Sequence, residues 1–162
     1  MIVVPSAETS ALLGALEASA LAQWIRTATA AYPALSALHI VAIALLFGPI
    51  AAWDWRLLRG GDMAGLAVLR RTAAAGAALA MATGALLFLA KPLDYAFNAL
   101  FQWKLATISL GLLNVAVAHA AGAGRMETAA EERPQRAVRV AAAVSLACWL
   151  GAIVLGRWIA FV

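Results

Sequence analysis

Four long stretches without a charged residue run through this chain: 27 residues from Thr27 to Trp53, 19 from Thr72 to Ala90, 20 from Leu105 to Gly124 and 17 from Val140 to Gly156. A helix rises about 1.5 Å per residue, so about 20 apolar residues cross the ~30 Å hydrocarbon layer of a bilayer. Each stretch predicts a membrane-spanning helix, the shortest assisted by Arg139 and Arg157, whose long side chains reach from its ends to water. A soluble core in a chain of 162 residues has no room for four such helices in succession. The composition agrees, with 65% hydrophobic and 12% charged residues against about 45–50% and about 25% in a soluble domain. The expected fold is all-α, a single integral membrane four-helix bundle over residues 1–162, with spans at about 32–54, 68–90, 102–121 and 138–160.

The first 26 residues are different, because Glu8, Glu17 and Arg26 interrupt them too often for a span, while Leu13, Leu16, Ala20 and Trp24 recur at helical spacing. Residues 6–26 predict an interfacial amphipathic helix lying on the membrane surface. Ala18-Ser19-Ala20 mimics a signal-peptide cleavage site, but two glutamates and the lack of a basic leading segment favour the surface helix. Pro33 suits the first turn of span one. Gly48-Pro49 predicts a bend, since Pro49 cannot donate to the carbonyl of Leu45.

The connections after spans one and three hold eight arginines (56, 59, 70, 71, 125, 133, 136 and 139), whereas the opposite side holds Arg26, Lys91, Lys104 and Arg157. Both termini are therefore expected outside the cytoplasm. Topology accounts for the net charge of +4, so the expected partner is the lipid bilayer and not nucleic acid. Trp24, Trp53, Trp55, Trp103 and Trp158 lie near span ends, as interfacial anchors do. Residues 122–135, with Glu127, Glu131, Glu132 and Pro134, form the one clearly hydrophilic connection. Lipid gives helices no hydrophobic reason to associate, so small residues at the contacts matter. Gly76, Ala80 and Gly84 make such a stripe in span two, and Ala147 and Gly151 begin one in span four. The single cysteine, Cys148, excludes an intrachain disulfide, a thiolate zinc site and covalent haem attachment through CxxCH.

An ionisable side chain within a span costs roughly 3 kcal/mol at the bilayer centre and therefore marks function. His39 is the sharpest case, about 7 Å below the outer edge if span one begins near Ala34. A neutral imidazole there binds iron or copper, or relays protons; the plainer reading is a histidine hydrogen-bonded to a neighbouring helix. Tyr32, Ser36 and Ile43 share its face. His119 lies about 24 Å in from Trp103, near the opposite surface, and the depth gap of about 16 Å argues against both histidines holding one haem. It reads as an interfacial residue. Met81, about 13 Å from the outer edge, is closer to His39, and histidine with methionine is both a haem-iron pair and a soft copper(I) set. Lys104, Thr107, Gly111 and Asn114 form a polar stripe on span three facing the bundle interior, although Lys104 alone can also reach up to water. Asp94 and Tyr95, in the short outer connection, are placed to pair with Lys104 or to bind a ligand headgroup. Asp54, between Trp53 and Trp55, reads as part of an interfacial anchor, free to pair with a nearby arginine. The sequence contains no phosphate-binding glycine loop, GxSxG or HExxH.

Several of these residues fall into a pattern: Tyr32-Pro33, Leu38-His39, Gly48 and Asp54-x-Arg56-Leu57-Leu58, then Thr83-Gly84 through Phe88, Phe101-x-x-Lys104 and Asn114. Over residues 24 to 120 the chain resembles a group of small bacterial four-helix membrane proteins and, more distantly, the copper-resistance D and HemJ-type protoporphyrinogen oxidase families. The resemblance implies haem b ligated by His39, with a lysine entering a later helix, here Lys104, and redox chemistry in the outer half of a bacterial inner membrane. The expectation is a haem b-binding redox or electron-transfer protein, an oxidoreductase if it is an enzyme, serving a quinone or a redox partner protein. Two alternatives stay open, copper(I) handling through His39 and Met81, and an accessory subunit without cofactor; so does homo-oligomer formation. The candidate ligand-site residues are His39, Met81, Tyr95, Lys104, Asn114 and His119, with His39 the metal ligand.

Overall fold

The computed structural model describes residues 6–60, 65–120 and 136–161. The hydrophilic connection expected at 122–135 lies outside the described residues. The described chain is helical: α1 (Ala7–Glu17), α2 (Ala20–Thr27), α3 (Ala31–Arg59), α4 (Leu66–Ala90), α5 (Pro92–Ala96), α6 (Ala99–Ala120) and α7 (Arg136–Trp158), followed by a 3₁₀ turn, Ile159–Phe161. Helices α3, α4, α6 and α7 are long and apolar enough to cross a membrane, and the protein is an all-α membrane bundle. In space α3 packs between α4 and α7, and α7 between α3 and α6.

The helix ends follow from local chemistry. Gly60 closes α3 with φ +66°, a left-handed conformation in which glycine has no Cβ to clash. Lys91 breaks α4 with φ −146°, and Pro92 opens α5 where its missing N–H costs nothing. Asn98 Oδ1 accepts from the backbone N–H of Leu100 at 2.9 Å and of Phe101 at 3.3 Å. That side chain caps α6 and starts it at Ala99, earlier than the expected residue 102. Helix α3 runs through Pro49 unbroken.

The expected surface helix over 6–26 is two helices. Ser19 Oγ accepts from Ala22 N–H at 3.3 Å and caps a second start, so the turn at Ala18 divides the segment. Helix α1 packs against α5, and α2 against α3 and α4. Ala22 and Ile25 are the buried face, while Leu16 and Trp24 are exposed. Arg26 ties this segment down, donating to the Ala90 carbonyl at 2.7 Å and the Glu17 carbonyl at 2.9 Å, with the Glu17 carboxylate 3.5 Å away.

The bundle is inverted relative to a soluble one. Its core is made of small side chains such as Ala42, Ala90, Ala142 and Ala152, while Ile40, Leu110, Leu113, Val117 and Leu150 point outward. Such a surface is stable only against lipid. A Cβ on Gly76 would overlap the backbone nitrogen of Leu46 and stand 2.6 Å from the Leu45 carbonyl carbon. The small-residue stripe of α4 is thus the seam where α3 and α4 touch backbone to backbone. On α7 the buried residues are Ala142, Ser145, Cys148, Trp149 and Ala152, and Ala147 is exposed. Trp149 is the one tryptophan used in the core; Trp24, Trp55, Trp103 and Trp158 are exposed.

Candidate functional site

His39 sits about 12 Å along α3 from its α5 end, and Thr83 about 10 Å from the corresponding end of α4. Their side chains meet, His39 Nδ1 to Thr83 Oγ1, at 2.8 Å. The Thr83 hydroxyl is itself 2.7 Å from the carbonyl of Leu79, which can only accept, so the threonine proton points there. His39 must then donate from Nδ1, and a neutral ring keeps its lone pair on Nε2. Anchoring one ring nitrogen to fix the tautomer is how ligand histidines are commonly held ready for a metal.

One glycine packs on this ring and another on Lys104. A Cβ on Gly84 would come within 3.2 Å of His39 Cε1, and one on Gly156 within 3.3 Å of Lys104 Nζ. Lys104 is drawn into the bundle because α6 starts at Ala99, which places it about 8 Å inside the helix end. Among the described residues no carboxylate forms an ion pair with it. The structure places two of the expected residues toward the α5 end of the bundle, each against a glycine of a neighbouring helix, His39 against Gly84 of α4 and Lys104 against Gly156 of α7.

An aromatic layer closes the α5 end. Phe88 of α4 stacks on Phe101 of α6 with centroids 5.5 Å apart, and Tyr95 of α5 lies 5.5 Å from Phe101 and 6.4 Å from Phe88. The Tyr95 hydroxyl meets the Tyr32 hydroxyl at 3.3 Å. Burial above all, then the Tyr32 hydrogen bond and the nearby Asp94 carboxylate, push the Tyr95 phenol above its ordinary range. Asp94 turns instead to Lys91, 3.9 Å away on the exposed side of α5. The expected pairing of Asp94 or Tyr95 with Lys104 is therefore not made, because Asp94 pairs with Lys91 and the Tyr95 hydroxyl meets that of Tyr32.

The remaining candidates are elsewhere. Met81 is 67% exposed and points off α4 away from His39, since two residues along a helix is a turn of roughly 200°. That separation leaves the copper(I) pair without its second ligand. Asn114 donates from Nδ2 to the Ala141 carbonyl at 2.9 Å, Thr107 lies against Gly151, and Gly111 against Cys148 and Trp149. The polar stripe of α6 does face the interior, but below Lys104 it is the packing seam with α7. His119 lies in α6, and its side chain is outside the described residues.

Thr83 and the two glycines were not among the expected ligand-site residues. The available signal for Thr83 was its place beside Gly84 on the small-residue face of span two. Asp54 also departs from expectation: it is 6% exposed, faces Ser145 of α7, and among the described residues forms no ion pair with an arginine. Compared with known protein families, curated proteins and solved structures, the chain finds no match.

Proposed function

We propose that this multi-pass membrane protein is a redox protein of the bacterial inner membrane that holds haem b on His39, with both termini and the α5 end outside the cytoplasm. The observation that carries the reading is the relay from His39 Nδ1 through Thr83 Oγ1 to the Leu79 carbonyl, which leaves Nε2 as the free donor of a neutral imidazole. The donor chemistry fits the group: an oriented imidazole suits haem iron, and the absence of a side chain at Gly84 lets α4 pack closely on the ring that carries it. Lys104 supplies a cation for an anionic edge of the ligand, in a half-buried position where such a pairing is stronger than in water. The aromatic layer of Phe88, Tyr95 and Phe101 lies between His39 and the α5 end of the bundle. Haem contributes one-electron exchange, and the protein contributes position and electrostatics. The electron partner on this reading is a membrane quinone or a protein on the outer side.

The test is the absorption spectrum of protein purified from membranes with haem supplied during expression. A Soret band with a reduced α-peak is expected, lost in His39→Ala and kept in His119→Ala. A band kept in His39→Ala and lost in His119→Ala refutes the ligand assignment. No band in any preparation leaves His39 as a packing residue.

A further inference from the structure

Asp54 is the only carboxylate within the four spans, and the haem reading does not use it. It lies fifteen residues beyond His39, about 22 Å along α3, and about 8 Å from the arginine-rich end of that helix. It is 6% exposed, and its Oδ2 is buried with no hydrogen-bond partner. The carboxyl meets the hydroxyl of Ser145 on α7, itself 4% exposed. Arginines stand on every element nearby: Arg56 and Arg59 on α3, Arg70 and Arg71 on α4, Arg139 on α7. Among the described residues no ion pair joins any of them to the carboxyl. Arg59 lies over the Trp55 ring at 4.3 Å, and Arg71 and Arg139 are exposed.

A carboxylate at this place would be a buried charge with an unpartnered oxygen and, among the described residues, no counter-ion, an arrangement that proteins avoid by keeping the group neutral. A hard metal cation would require six or so oxygens, and among the described residues no group of three His, Cys, Asp or Glu gathers. Protonation removes the charge with no further ligand, leaving a neutral hydroxyl whose burial costs far less than that of an anion. We propose that Asp54 is a proton-binding site within the bilayer, exchanging its proton with the arginine-rich side of the membrane. The proposal stands independently of haem binding.

N,N′-dicyclohexylcarbodiimide tests it, because this apolar reagent attacks protonated carboxyls. The acid proton passes to a carbodiimide nitrogen as the carboxyl oxygen bonds to the central carbon, and an acyl shift to nitrogen leaves a stable N-acylurea. The full chain in phosphatidylcholine vesicles, with buffer set separately on each side, is labelled and the adduct mapped by peptide mass. The expected adduct is on Asp54, falls away as the arginine-rich side is made alkaline, and is indifferent to sodium. Glu8, Glu17 and Asp94 remain unlabelled at the same pH. The infrared carbonyl band of a protonated carboxyl is present in the wild-type chain and absent in Asp54→Asn. Three results overturn the proposal: no adduct on Asp54 at any pH, an adduct suppressed by sodium at constant pH, or one controlled only from the α5 side. Mapping reads the wild-type chain, so the outcome does not depend on how Asp54→Asn folds.

Discussion

Replacing Gly76 by alanine tests the geometry on which the His39 site depends. The added carbon would overlap the Leu46 nitrogen and lie 2.6 Å from the Leu45 carbonyl carbon, against about 3.5–4.0 Å for an ordinary carbon contact. Both neighbours are backbone of α3, so no side chain can swing aside, and α4 must retreat by roughly 1 Å. Overpacking of this kind costs about 1–3 kcal/mol. At tenfold per about 1.4 kcal/mol, the opened population rises about 5- to 150-fold. Amide hydrogen exchange along α3 and α4 in mild detergent reports that population, because those two helices meet at the seam. Gly48→Ala is the control, because nothing lies within 4 Å of its added carbon; it should exchange no faster than wild type. If Gly76→Ala is also no faster, α3 and α4 do not touch backbone to backbone there. The register that sets Thr83 against His39, two turns further along α4, then falls with it.

Three other outcomes follow from named contacts. Thr83→Val keeps the shape but removes the acceptor for His39 Nδ1; it should cost about 1–3 kcal/mol for the unpaired N–H, and nitrogen NMR of the ring should lose the single Nδ1-protonated tautomer. Arg26→Met removes the bonds to Ala90 and Glu17, so amide exchange in α1 and α2 should quicken while α3 is unchanged. With the Arg26 side chain 29% exposed, the loss should sit near the lower end of about 1.5–3 kcal/mol. Tyr95 has its phenol held above the ordinary range. Above a pH of about 10 the unfolded chain releases that proton while the folded chain keeps it, so stability declines with rising pH. Tyr32→Phe should ease the decline and lower the titration seen by tyrosinate absorbance.

The number of spans was written in the charge spacing, because a charge in hydrocarbon is costly wherever the helix happens to pack. The α3–α4 seam was equally legible, since glycine at Gly76 and Gly84 marks close approach in any partner arrangement. His39 stood out as a candidate for the same reason: an imidazole in a span demands a partner. What one dimension could not supply was which groups share a level and an azimuth. A shift of two residues turns a side chain about 200° around its helix, and that alone sends Met81 to lipid while Thr83 meets the imidazole. The Asn98 cap moved the start of α6 and drew Lys104 inward, and the antiparallel meeting of α3 and α7 buried Asp54 against Ser145. Chain solubility in lipid is a sum over residues and is fixed locally; a site is a set of coincidences between helices, settled only when the backbones pack.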